Sequence, residues 1–310
     1  MSGRRIGSVE VSLAGLGCNN FGWRIDEDGS RAVIEAALEA GVTTFDTADN
    51  YGDGLSEEFL GRALAGRRDQ VVIATKFGGF RDDLGREAGA APAYVREAAD
   101  ASLRRLGTDR IDLLQLHSPD VSTPIADTLG ALGDLVVAGK VREIGCSNFT
   151  AEQIEEAASE AGVLAGPGFA SVQNAYSVVA REPEADVLPV CERLGLGFLP
   201  YWPLESGLLT GKYHRGRPAP AGSRLAEPDE EDELEAAPFD IIERLETFAA
   251  ERGHTLLELA LSWLAARPAV ASVIAGATTP EQVRANAAAV VAWELTPEEM
   301  AEIDRMTPAG

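Results

Sequence analysis

Eight times along the 310 residues, a short apolar run of strand length is followed by a stretch with helical spacing. The strand-like runs fall at residues 13–17, 42–45, 71–75, 111–116, 143–146, 171–173, 197–201 and 270–274. Helical patterns follow at 30–40, 56–64, 92–106, 123–138, from 150, at 183–194, at 239–251 with 256–266, and at 280–290. A βα unit repeated so often predicts a closed parallel barrel, because crossovers are right-handed and each strand needs a covering helix outside it. The competing open doubly wound sheet usually carries G-x-G-x-x-G after its first strand, and Gly15-Leu16-Gly17-Cys18-Asn19-Asn20 does not complete that motif. The expected architecture is one α/β domain over 1–310, a (β/α)8 TIM barrel. An N-terminal strand or hairpin (Val9, Val11, Leu13), a long loop after strand seven and a C-terminal helix over 296–306 complete it. Ser30 reads as the cap of the first barrel helix, and Thr296 with Glu299 as a capping box for the C-terminal helix.

In such a barrel the loops leaving the C-terminal strand ends form one face, where functional groups collect. Four polar groups stand at those ends: Asp46 closes the second strand, Tyr51 lies five positions on, Lys76 closes the third and His117 the fourth. A phenol has an ordinary pKa of about 10 and is a poor acid or base near neutrality. A neighbouring ammonium favours the phenolate, and a carboxylate beside that ammonium holds it charged and oriented. Asp46 is therefore expected to support Lys76, and Lys76 to lower the pKa of Tyr51. His117 can hydrogen-bond a carbonyl oxygen, so the group suits chemistry that places negative charge on oxygen.

Composition narrows the partners. A net charge of −23 and a pI near 4.5 disfavour nucleic acid and anionic membrane, whose phosphates reward Lys and Arg. Cys18, Cys146 and Cys191 are odd in number and lack CxxC or metal-type spacing, which suits a reducing compartment. No leader with a basic start and apolar core opens the chain, and no run of about 18 apolar residues occurs. A soluble, cytoplasmic protein without a metal is expected.

The segments FDTADNYGDGLSEEFLGRAL, VVIATKFG, IDLLQLH, VREIGCSNF, VQNAYS, LPYWPLESGLLTGKY and VIAGATTPEQVRANAAA resemble the aldo-keto reductases in order and spacing, from about Val9 to the last barrel helix. The resemblance implies a barrel that binds an extended nicotinamide cofactor without a Rossmann domain. By resemblance Asp46, Tyr51, Lys76 and His117 are catalytic: hydride passes between nicotinamide and a carbonyl carbon, Tyr51 exchanges the proton on its oxygen, and His117 orients it. Cofactor contacts carry over likewise. Ser147, Asn148 and Gln173 match positions that bind the nicotinamide carboxamide, and Tyr201 the aromatic on which the ring stacks. Leu204, Ser206, Gly207 and Lys212, with Arg224 further along, match a loop that wraps the pyrophosphate. Gly276, Thr278, Gln282 and Asn286 match the adenosine end. Thr278 and Thr279 depart from the Arg or Lys that many relatives carry for a 2′-phosphate, so NADP(H) is expected with NAD(H) as the alternative.

Trp23, Phe77, Phe80 and Trp202 either wall the substrate mouth or pack in the fold. The acidic run over 227–235 reads as a solvated face or as a flap over bound cofactor. The leading expectation is carbonyl reduction of aldehydes or ketones, or the corresponding alcohol oxidation. A sugar dehydrogenase of the same fold and a cofactor-binding sensing subunit with little turnover are the alternatives.

Overall fold

The eight apolar runs form eight parallel strands: β1 (Ala14–Gly17), β2 (Thr44–Asp46), β3 (Val72–Phe77), β4 (Ile111–Leu116), β5 (Val141–Ser147), β6 (Ser171–Gln173), β7 (Gly197–Phe198) and β8 (Val273–Gly276). This is a computed structural model, and it describes residues 4–81, 86–87, 89–227 and 230–307. Neighbours in sequence are neighbours in space, and β8 returns beside β1. The ends of the sheet meet where Phe198 N–H donates to the Ala269 carbonyl and Ala271 N–H to that of Phe198, both at 2.8 Å, so the curl closes.

Side chains alternate across a strand, which sorts inside from outside. On β3, Val72 and Ala74 face the barrel interior with Leu113, Leu199 and Ile274. Ile73 and Phe77 face the outer core shared with the helices. An antiparallel hairpin, Arg4–Ile6 paired with Val9–Val11, fills the interior from the end where the strands begin, burying Ile6, Val9 and Val11. Water is thereby excluded from one end, and the opposite end stays open for a site.

The barrel helices are α1 (Glu27–Glu39), α2 (Leu55–Ala63), α3 (Pro92–Leu106), α4 (Ile125–Val137), α5 (Ala151–Leu164) and α6 (Val187–Leu194). After β7 come a short α7 (Glu231–Glu235), then α8 (Phe239–Glu251), α9 (Leu256–Ala265), α10 (Pro280–Ala289) and α11 (Pro297–Met306). Two expectations need correction. Helix α1 starts before Ser30: Asp26 is its cap, its carboxylate accepting from Gly29 N–H at 2.9 Å, while Ser30 is buried and donates to the Asp26 carbonyl. The stretch over 183–194 is not one helix but a single 3-10 turn, Glu182–Glu184, followed by α6. The Thr296–Glu299 capping box on α11 forms in both directions.

Helix α11 is docked by Arg181, whose guanidinium is almost wholly buried. It donates to the Thr307 carbonyl at 2.6 Å and pairs with Glu184 at 2.6 Å and Asp304 at 3.2 Å. Arg267 still reaches Glu184 at 3.4 Å and Asp304 at 2.7 Å when Arg181 is removed, but the Thr307 carbonyl loses its buried donor, so Arg181→Ala is expected to lower stability by about 1–3 kcal/mol, read as a shift in the urea midpoint. Among the described residues no helix is long and apolar enough to cross a membrane, and no cluster of three His, Cys, Asp or Glu could hold a metal. Cys18, Cys146 and Cys191 are free and buried.

Candidate active site

The deepest polar group of the open end is built around one ammonium. Lys76 points into the barrel with its Nζ 2.6 Å from Asp46 Oδ2, 3.0 Å from the Thr47 carbonyl and 3.3 Å from Tyr51 Oη. Burial opposes the charge on Lys76, but Asp46 and Tyr51 outweigh it and raise its pKa, so the ammonium persists. Tyr51 differs from expectation. Lys76 does pull its phenol down, yet burial is the larger effect and, with Asp46 adding to it, leaves the pKa above the ordinary value. The phenol therefore holds its proton at neutral pH.

His117 meets Tyr51 edge to face, ring centroids 5.9 Å apart. Burial first, then the Lys76 charge, push its pKa down to about 3, so the imidazole is neutral. Its Nδ1 is buried without a hydrogen-bond partner among the described residues, and a Cβ on Gly79 would lie 2.6 Å from that atom. Only glycine at 79 lets the ring sit where it does.

Asp46, Tyr51 and His117 open into a cavity of about 500 Å³ that runs along the strand ends. Ser147, Asn148, Gln173, Tyr201 and Trp202 line it near the phenol. Asn148 is fixed on three sides: its N–H reaches Asn174 Oδ1 at 2.7 Å, its amide donates to the His117 carbonyl at 2.9 Å, and Tyr201 Oη donates to its Oδ1 at 2.8 Å. Leu204, Ser206, Gly207, Lys212 and Arg224 also line it, as do Gly276, Thr278, Gln282 and Asn286 around the first turns of α10. Of the six non-glycine residues with positive φ among the described residues, Asn148, Trp202, Glu205 and Ser206 line this cavity. Strain held in a packed fold collects at such sites.

Of the four aromatic residues considered for the substrate mouth, Trp202 lines the cavity and Trp23, Phe77 and Phe80 do not. Phe77 is fully buried in the outer core, because a strand that turns Lys76 inward must turn its neighbour outward; it does not wall a mouth. Trp23 and Phe80 are exposed and outside the lining. Asn19, Asn20 and Arg24 line the cavity although no sequence pattern singled them out. Arg24 lies 3.3 Å from Glu227, and Arg224 lies 3.4 Å from Glu230, so the described acids at 227 and 230 bridge to two cavity arginines. Pro228 and Asp229 of the acidic run lie outside the described residues.

A model of the Aldo/keto reductase family matches residues 14–307. The chain belongs to this family. It is an NAD(P)H-dependent oxidoreductase, and the family acts on small-molecule carbonyl compounds. Among solved structures, an aldo-keto reductase from Bacillus halodurans in its holo form superposes with a TM-score of 0.82 at 34% identity, covering 100% of this chain and 97% of that one. A glycerol dehydrogenase from Gluconobacter oxydans gives 0.82 at 31% identity, covering 99% and 95%. Among curated proteins, a probable voltage-gated potassium channel subunit beta from Arabidopsis thaliana is 35% identical over 292 residues, 91% of this chain and 88% of that protein. Its namesake from Oryza sativa subsp. japonica is 36% identical over 294 residues, 92% and 89%.

The cavity suits a nicotinamide dinucleotide. Tyr51 and residues at the positive end of α10 share its wall, and the cations Arg24, Lys212 and Arg224 line it too. Gly207, at φ 93°, lies against Lys212 so closely that a Cβ would come 2.8 Å from Nζ; glycine there leaves the ammonium its place.

Proposed function

We propose that this aldo-keto reductase reduces aldehydes or ketones with NADP(H), Tyr51 giving the proton, Lys76 hydrogen-bonding the phenol while Asp46 holds Lys76, and His117 orienting the carbonyl oxygen. The observation that carries the reading is the single buried ammonium shared between Asp46 and Tyr51. A bound nicotinamide supplies or accepts the hydride; Ser147, Asn148 and Gln173 would hold its carboxamide, and Tyr201 would face its ring. As charge develops on the carbonyl oxygen, the Tyr51 proton moves to it. The resulting phenolate lies 3.3 Å from Lys76 Nζ, which offsets the new charge. His117, neutral and capable of donating, holds the oxygen in reach of the phenol. Lys212, Arg224 and the N-terminus of α10 favour the phosphates. Trp202, half exposed on the cavity wall, would meet substrate.

Fluorescence titration with NADPH and NADH, followed by turnover with aldehydes, ketones and aldoses, tests the reading. Tighter NADPH binding with carbonyl turnover is expected. Thr278 and Thr279 in place of cations keep NAD(H) as the alternative, and tighter NADH binding would adopt it. Similarity to a glycerol dehydrogenase favours polyol or sugar oxidation as the second activity to assay. Similarity to channel beta subunits favours a cofactor-sensing role instead if cofactor binds and no substrate turns over in either direction.

The phenol and imidazole fix a pH profile. Reduction needs the protonated phenol, whose pKa is raised, so kcat/KM for reduction should stay level through neutrality and fall only above about pH 10. Oxidation needs the deprotonated phenol and should rise with pH over that range. A reduction limb near pH 6.5 would mean that His117 titrates there, contrary to its depression to about 3.

A further inference from the structure

The Asp46 carboxylate divides its bonds. Oδ2 accepts from Lys76, while Oδ1 accepts from two amides, Gln173 Nε2 at 2.9 Å and Gln115 Nε2 at 3.2 Å. The two glutamines differ in position. Gln173 lines the cavity and belongs to the proposed cofactor contacts; Gln115 is fully buried and does not.

Gln115 sits on β4 in register with Lys76 of β3 on one side and Gly145 of β5 on the other. A Cβ on Gly145 would come 3.2 Å from Gln115 Cγ, so the glycine leaves room for this side chain. Its Oε1 is buried without a partner among the described residues. Turning the amide over brings no relief, because its oxygen would then face the Asp46 carboxylate. An unpartnered buried amide oxygen is a cost to folding that a leucine of similar size would avoid. The gain from the amide must lie in what Nε2 holds.

We infer that Gln115 is a positioning residue for the reaction: it holds Asp46 Oδ1 so that Oδ2 keeps Lys76 Nζ against Tyr51 Oη. The inference rests on the proton-transfer reading of Asp46, Tyr51 and Lys76. Gln173 alone does not secure this, since it lines the cavity and its amide can turn to a bound carboxamide. Gln115 supplies a donor that cofactor binding cannot withdraw.

Gln115→Leu, assayed with the tighter-binding cofactor and the aldehyde that the parent turns over fastest, should lower kcat by up to on the order of 10²-fold. Cofactor affinity and substrate KM should stay within about twofold, and the melting temperature should hold or rise. Gln115→Glu gives a second, independent reading. A carboxyl beside Asp46 retains its proton above the ordinary range, and in that form its O–H can serve Oδ1. Its kcat should approach the parent value at acid pH and fall as the added proton leaves, a limb the parent lacks. A residue that only fills space would not produce that limb. Parent-like kcat in Gln115→Leu, or a Gln115→Glu profile superimposable on the parent's, overturns the inference. Tyr51→Phe, run alongside, separates the two levels. If it is inactive while both Gln115 variants behave as parent, this inference alone fails; if it is active, the underlying reading fails with it.

Discussion

Tyr51→Phe is expected to bind cofactor like the parent and to lose about 10²- to 10⁴-fold in carbonyl reduction, the usual worth of a positioned proton donor. The substitution removes one oxygen and keeps the ring, so the edge-to-face contact with His117 survives. Lys76 retains Asp46 Oδ2 and the Thr47 carbonyl, and its buried charge stays partnered. The fold and the cavity walls should therefore be intact, and the loss should lie in kcat rather than in cofactor affinity. Cofactor fluorescence titration and single-turnover reduction measure the two quantities separately. Turnover at near the parent rate would remove Tyr51 from the proton path. A large loss of affinity would instead mean that the phenol organises the cofactor pocket.

Much of this site was legible because it rests on period and position. The repeat set the barrel, and the barrel set which strand ends share a face; Asp46, Tyr51, Lys76 and His117 follow from that alone. Strands without ambiguity were read to the residue: β4 and β6 coincide with their apolar runs, and α3 and α8 with their helical patterns. Phe77 was also decidable. Alternation forbids it to share the interior with Lys76, and an aromatic next to a loop hid that rule. The start of α1 went wrong because Ser30 and Asp26 are both capping types, and only backbone geometry tells which one ends the extended segment. Other features had no local signal. Gln115 stands within an apolar run, and Arg24 meets Glu227 across 203 positions of sequence. The net pKa direction of Tyr51 was out of reach for a related reason: the neighbouring ammonium is visible in the pattern, whereas the extent of burial is a property of the packed barrel.

Lys76→Met should be the most disruptive single change in the site, because it harms stability and chemistry together. Lys76 and Asp46 are nearly inaccessible, so removing the ammonium leaves a buried carboxylate with, among the described residues, the Gln115 and Gln173 amides as its side-chain donors. Breaking a buried pair in this way costs about 3–5 kcal/mol. Urea unfolding should show a lower midpoint with an unchanged slope, since the surface exposed on unfolding is the same. Reduction should fall at least as far as in Tyr51→Phe, for the phenolate formed in the reaction would lose its nearest cation. The double variant Asp46→Asn with Lys76→Met distinguishes the two losses. It removes both charges, so most of the stability should return while the activity does not. If stability and turnover recovered together, the pair would be a structural device and the proton donor would have to be sought elsewhere. Recovery of stability alone would mean that the protein carries a buried ion pair, which a neutral barrel interior would not need, for the sake of the phenol beside it.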